Sequence, residues 1–512
     1  MLRRVKIKNG WIEGLPAADP RITAFKGIPF AMPPTHSLRF HAPIPSSDWV
    51  GTMKTYHFKP ISMQPVPGLD KDNIYTREWN VDPEIPMGED CLYLNVWSPA
   101  KSTDEKLPVF VWYFGGGWQV GNTAEMEFDG ERFARRGIIY VSINYRVNVF
   151  GFLSHPEITA ENPMQPGNFG LLDQQLGTRW VKDNIEAFGG DPNNITIGGQ
   201  SAGGGSTLIH VVSAQNKDLF QKAIIQSGVL MNPYEELIPK RTLSQAEQIG
   251  IEFFDFLGVK SLAEARALTE AYIMEKWGQY GDFAESMRLW IPIHDGHFLE
   301  GDPIELFLAG KRQNVPLLLG HTGNEFFAML NEHNKESIHT KAEELFDDDV
   351  DEYLELIGWN NKALEEIQES TRIPSLEYGV RILCEYEDEL NPDLHNYYYE
   401  FDPDIPGWDN PGSFHSSDLW FTFETLAKCW RPFTGKHYDL SRQMCNYWTN
   451  FIMTGNPNGI DQTGESMPQW KPYSKSQPHK MLFTDISHPT ITQPSPIMSF
   501  LVRNYFKHNR KN

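Results

Sequence analysis

Short runs of apolar residues alternate along the chain with longer stretches in which apolar side chains return every three or four positions. This alternation predicts strands and helices in succession. Residues 109–113 (VFVWY), 138–143 (IIYVSI), 195–197 (ITI), 223–226 (AIIQ) and 315–319 (VPLLL) are mostly apolar on successive positions, as strands buried on both faces are. Between the second and third of these, Leu172, Leu176, Trp180, Val181, Ile185 and Phe188 line one face of a helix entered near Asn168 and closed by Gly189 and Gly190. Two further stretches, about 235–290 and 336–389, are richer in Ala, Leu, Glu and Lys and predict helical insertions outside the strand succession. The expected architecture is α/β: one domain over residues 1–512, with a large, mostly parallel central sheet flanked by helices.

Composition narrows the function classes. Hydrophobic residues are 40% and charged residues 22% of the 512, which is material for an extensive core and not a disordered composition. Asp and Glu outnumber Lys and Arg by 67 to 45, giving a net charge of -22. A field of that sign opposes contact with a phosphate backbone, so nucleic acid is excluded as a partner. Arg3, Arg4, Lys6 and Lys8 are followed by no apolar run of about 7–15 residues, and no apolar stretch approaches about 18, so neither a signal peptide nor a membrane span is expected. Cys91, Cys384, Cys429 and Cys445 lack metal-ligand spacing, which points to the cytoplasm and to no metal. The acidic run from Asp347 to Glu352 lacks calcium-loop spacing and is expected to be a solvated helix start. Arg503, Lys507, Arg510 and Lys511 are expected to form a solvated terminus.

Two glycine-rich turns carry the candidate chemistry. Gly199-Gln200-Ser201-Ala202-Gly203 follows the apolar run 195–197. A serine on a tight strand-to-helix turn has an exposed hydroxyl, and flanking glycines leave room for the turn. Phe114-Gly115-Gly116-Gly117-Trp118 follows the run 109–113. Successive glycines there let main-chain N–H groups converge on a cavity, which suits the oxyanion of a tetrahedral intermediate. Together the two turns point to acyl transfer.

Beyond these turns, the chain resembles the type B carboxylesterases, the cholinesterase-like branch of the α/β-hydrolases, in its bacterial form. The likeness runs from Phe25-Lys26-Gly27-Ile28-Pro29-Phe30 through Glu89-Asp90-Cys91-Leu92-Tyr93-Leu94-Asn95-Val96, Asn144-Tyr145-Arg146 and Gln226-Ser227-Gly228 to Thr454-Gly455-Asn456-Pro457-Asn458-Gly459. The resemblance implies a triad of Ser201, Glu325 (in HTGNEFF) and His415 (in GSFHSSDLW). It implies oxyanion donors at Gly116, Gly117 and Ala202, supporting roles for Gln200 and Ser227, and a pocket lined by Trp118, Phe326, Phe327 and Trp420. No cofactor is implied. His294 and His321 are weaker pocket candidates, and His210 is expected to be a packed histidine.

Three departures refine the expectation. Gln200 stands where many relatives carry Glu or Asp, which removes a negative charge beside the serine and disfavours cationic substrates, leaving Trp79 and Trp118 as aromatic cation candidates. No cysteine precedes Cys91, so the disulfide of secreted relatives cannot form. Phe114 opens the glycine loop where relatives often have His or Tyr. The expected function is hydrolysis of short- to medium-chain carboxylic esters, small molecules, through an acyl-enzyme, by a monomer or small homo-oligomer. The alternatives are a feruloyl or aryl-acyl esterase and, in another class, a non-catalytic interaction protein.

Overall fold

A computed structural model describes residues 1–70, 72–391 and 393–509. Its centre is an 11-stranded sheet. In chain order the strands are β1 (Leu15–Pro16), β2 (Thr23–Pro29), β3 (Tyr93–Ser98), β4 (Leu107–Tyr113), β5 (Ile139–Ile143), β6 (Gly190–Gln200), β7 (Lys222–Gln226), β8 (Leu317–Thr322), β9 (Asn396–Phe401), β10 (His479–Phe483) and β11 (Ser487–Ile491). Their spatial order is β11-β10-β9-β8-β7-β6-β4-β5-β3-β2-β1. Every pairing from β10 to β5 is parallel, and the strands outside that run pair antiparallel. The apolar runs of the sequence are the central strands. Val109 to Trp112 and Ile195 to Ile197 are fully buried, as strands covered by helices on both faces must be.

Strand β4 is the pivot of this order. From it the chain crosses to β5 on one side and later returns to β6 on the other. Where the strand order reverses, successive connections leave on opposite faces and open a crevice at the carboxyl ends of the strands. The glycine loop after β4 and Ser201 after β6 both stand at that crevice.

Helix α1 (Phe169–Asn184) continues as a 3-10 turn over Ile185–Phe188 and ends on Gly189, whose φ of 85° closes it, as the glycine pair predicted. Helix α2 (Ala202–Val212) follows Ser201 and is buried along its whole length. Between β7 and β8 run helices Leu243–Leu257, Leu262–Ala267, Glu270–Tyr280 and Phe283–Leu289. Between β8 and β9 come Lys335–Phe346, Val350–Ile357, Leu364–Thr371 and α3 (Ser375–Leu390).

The acidic run opens the helix Val350–Ile357 and is largely exposed, and it meets the basic tail: Lys507 of the final helix α4 (Pro496–Asn509) pairs with Asp349 at 2.8 Å, and Arg503 pairs with Glu352 at 2.6 Å. The tail folds back because α4 also packs Phe500 edge-on against Phe346 at 5.2 Å, which brings opposite charges together. Arg510 and Lys511 lie outside the described residues.

Candidate active site

Each strand end in the crevice is tied to the next by one hydrogen bond. Ser201 N–H donates to Gln226 C=O at 2.9 Å, Ser227 N–H to Gly320 C=O at 2.8 Å, and Gly323 N–H to Phe401 C=O at 2.8 Å. The residues that leave β6, β7 and β8 are therefore held in line across the sheet before any side chain is considered. Asn324 N–H then donates to Ser413 C=O at 3.2 Å, which fastens the loop of Glu325 to the loop of His415.

Ser201 has φ 57° and ψ -125°, a backbone conformation that costs a non-glycine residue about 1–3 kcal/mol and is kept only where its surroundings enforce it. The glycines on either side explain the enforcement. A Cβ at Gly199 would stand 2.4 Å from the Gly203 backbone, and one at Gly203 would stand 2.1 Å from Tyr113 C=O. Only two side-chain-free residues let β4, β6 and α2 approach this closely.

The glycine loop lies against the same turn. A Cβ at Gly115 would come within 3.1 Å of Ser201 Cβ. Gly116 and Gly117 take φ values of 106° and 62°, and Trp118 follows at 60°. Among the described residues the N–H groups of Gly116, Gly117 and Ala202 donate to no protein acceptor. Backbone donors inside a protein are otherwise almost always paired, so three free N–H groups on two turns packed against each other mark a place built for an acceptor from outside. Phe114 supports the loop from below: it stacks on Tyr145 at 4.1 Å, and Tyr145 Oη donates to Phe114 C=O at 2.7 Å.

Glu325 is 4% exposed and fully engaged. Its Oε1 accepts from Ser227 Oγ and from Thr322 N–H, each at 2.7 Å, and its Oε2 meets Nδ1 of His415. Burial alone would push this carboxyl up. The charge and hydrogen bond of His415, the neighbouring His321 and the Ser227 hydroxyl together hold it below the usual carboxylate range. A carboxylate on Nδ1 leaves Nε2 as the free nitrogen of the imidazole. At Nε2 the hydrogen-bond partner is Gln200 Nε2, 3.4 Å away, and among the described residues Ser201 Oγ makes no hydrogen bond.

The structure brings Ser201, Glu325, His415, Gln200, Ser227 and the three N–H groups together and distributes the expected pocket residues unevenly. Phe326 covers the His415 ring at 4.5 Å and is 44% exposed, so it stands at the opening. Phe327 lies under the Arg372 guanidinium at 3.9 Å, in a short strand pair with Pro374. Trp420 stands one layer back, behind Trp79 at 6.1 Å, with Nε1 donating to Glu78. Trp118 lies on α2, where its Nε1 donates to Ser206 Oγ at 3.0 Å. His210 is packed between Gln174 and Asn216, and burial lowers it to about 3.

Two residues not singled out from the sequence also shape the site. Met287 Sδ would meet a Gly117 Cβ at 2.7 Å, so helix Phe283–Leu289 bears directly on the glycine loop. Asp418, three positions after His415, is fully buried and accepts through Oδ2 from Gln226 Nε2 and Tyr399 Oη, both at 2.9 Å. Burial pushes its carboxyl up to about 6 against those two donors. The spacing from His415 was the available signal for Asp418, whereas Met287 had none, because its contact is made by a helix inserted far along the chain.

The model of the carboxylesterase family matches residues 2–494. Bungarus fasciatus acetylcholinesterase is 31% identical over 539 residues, covering 96% of this chain and 84% of that protein. Human bile salt-activated lipase is 32% identical, covering 92% and 65% respectively. Among solved structures, the Geobacillus stearothermophilus carboxylesterase EST55 superposes with a TM-score of 0.75 at 28% identity, covering 98% of this chain and 99% of the other. A PNB esterase superposes at 0.79 and 25%, with the same coverage. The chain belongs to the carboxylesterase family and is a serine hydrolase of carboxylic esters.

Proposed function

We propose that Ser201 is the nucleophile, His415 the general base and Glu325 the acid that orients it. Ser201 Oγ attacks the ester carbonyl carbon as its proton passes to His415 Nε2, and the N–H groups of Gly116, Gly117 and Ala202 receive the oxyanion. Collapse of the tetrahedral intermediate breaks the bond to the alkoxy oxygen, which leaves as the alcohol with the proton from Nε2. Water then gives a proton to the same nitrogen, attacks the acyl-enzyme and frees the carboxylic acid, returning the proton to Ser201. Glu325 keeps Nδ1 protonated throughout and stabilises the imidazolium. In the resting enzyme Gln200 occupies the Nε2 side at 3.4 Å, and the serine–histidine bond forms when substrate is bound.

The observation that carries this reading is the set of N–H groups without a protein acceptor at Gly116, Gly117 and Ala202, on two turns that meet where Gly115 lies against Ser201, two strands along the sheet from a buried carboxylate–imidazole pair. The half-exposed Phe326 ring beside His415 supports a neutral, apolar ester of short to medium acyl length. Four free thiols support a reducing, cytoplasmic setting. Fluorophosphonate labelling tests the nucleophile. Wild type takes the label on Ser201 and hydrolyses p-nitrophenyl acetate, while Ser201→Ala takes none and loses at least about a thousandfold in kcat. Full activity in Ser201→Ala would place the nucleophile elsewhere.

A further inference from the structure

A cavity of about 90 Å3 adjoins the site, with Trp118 in its lining. Gly205 and Gly228 line the same end. Gly205 is one helical turn from the nucleophile, its N–H donating to Ser201 C=O at 2.8 Å, and Gly228 follows Ser227. Leu208, Leu230 and Ile238 are among the residues that make the walls apolar. The outer end is charged: Lys240 pairs there with Asp302 at 3.5 Å and Glu305 at 2.7 Å.

Trp118 is fixed as a partition. Its φ of 60° is an uncommon backbone conformation for so bulky a residue, and its carbonyl accepts from Asn148 N–H at 2.6 Å. The indole rests on α2 where Gly205 has no side chain; a Cβ there would lie 3.2 Å from the ring. Ser206 Oγ, which takes Trp118 Nε1–H at 3.0 Å, also accepts from Gln174 Nε2 at 3.2 Å. Strain, a backbone hydrogen bond and a side-chain hydrogen bond thus hold one indole between the oxyanion loop and an apolar space.

We infer that this cavity is a walled-off extension of the acyl subsite and that Trp118 sets the longest acyl chain the enzyme accepts. The inference rests on Ser201 as the nucleophile, since the acyl group it carries begins one turn from the partition. The chemistry that fits is a flexible aliphatic acyl tail: beside Trp118 the lining is Leu208, Ile209 and Leu230, and the polar lining residues Lys240, His294 and Asp302 belong to the charged end.

The test is the ratio of kcat/KM for p-nitrophenyl octanoate to that for p-nitrophenyl acetate, read within one protein so that a general loss of activity cancels. In Trp118→Ala the ratio rises at least about tenfold over wild type. In the double variant Trp118→Ala/Ile238→Trp, which refills the space from another lining residue, it returns toward the wild-type value. Trp118→Leu opens the partition with less disturbance and gives the same direction if the alanine variant does not fold. An unchanged ratio in an opened variant that still hydrolyses acetate overturns the inference, as does a rise that Ile238→Trp leaves in place. Failure of the nucleophile reading shows separately, as absence of fluorophosphonate labelling in wild type.

Discussion

Replacing Ser227 by alanine removes one of the two hydrogen bonds on Glu325 Oε1 and leaves the Thr322 N–H in place. A hydrogen bond to a buried charged group is worth about 1.5–3 kcal/mol. If that donor stabilises the ionised Glu325 that must hold an imidazolium, its loss lowers kcat/KM by about tenfold to a hundredfold, at about 1.36 kcal/mol per decade. KM for a neutral ester stays near wild type, because Ser227 lies behind the acid and touches no substrate. The pH dependence has a definite sign. Glu325 is held below its ordinary range in the folded protein, so its ionisation adds stability above the unfolded carboxylate value, and this is lost as pH falls through the folded value. Ser227→Ala shrinks that lowering. The variant is therefore less stable than wild type at pH 7, and the gap closes in acid. Initial rates on p-nitrophenyl acetate from pH 5 to 9, with urea unfolding at pH 7 and in steps down to about pH 2, check both claims. A kcat/KM within twofold of wild type, or a stability gap that does not narrow in acid, would refute the argument that Ser227 acts through the charge of Glu325.

Two other outcomes are expected. Asp418 keeps its proton to about 6, whereas the same side chain unfolded releases it near 3.8, so between those values this group makes stability fall with rising pH by about 1.4 kcal/mol per unit; Asp418→Asn lacks that slope, and parallel slopes for variant and wild type in urea unfolding would count against a buried protonated acid. Choline esters are hydrolysed no better than neutral esters of equal acyl length, because Gln200 is neutral and Glu78, beneath Trp420 and Trp79, is already paired with Arg431 at 2.6 Å; a choline preference above about tenfold in kcat/KM would contradict this.

The central strands and the nucleophile turn were legible because local chemistry determines them. Strands buried on both faces need unbroken apolar runs, and a strained strand-to-helix turn needs glycine on either side of the serine. Glu325 was legible through resemblance alone, since an isolated loop glutamate looks like a solvated one. Its burial is made by Ser227 and His415, 98 and 90 positions away. The pocket was least legible. Trp118 and Trp420 are both aromatic neighbours of motif residues, yet one is pinned to Ser206 and the other hidden behind Trp79, and no periodicity distinguishes the two. The pairing of Arg503 and Lys507 with the acidic run was missed for the same reason: charge patterning records sign along the chain, whereas contact depends on how distant helices dock.

The single hydrogen bonds that link Ser201, Ser227 and Gly323 to the neighbouring strand ends assign tolerance unevenly between two parts of the molecule. Spacing among the reacting groups is inherited from the roughly 4.8 Å interval of a parallel sheet. The helices between β7 and β8 and between β8 and β9 connect fixed posts, and among them Phe283–Leu289 also bears on the glycine loop through Met287. Insertions, deletions or exchange in the connections away from that helix therefore alter which ester is admitted without moving the posts, whereas one added residue between β6 and Ser201 shifts the nucleophile off its neighbour's carbonyl. An evolving or engineered lineage of this enzyme has its freedom in the long segments and almost none in the few residues just past each strand.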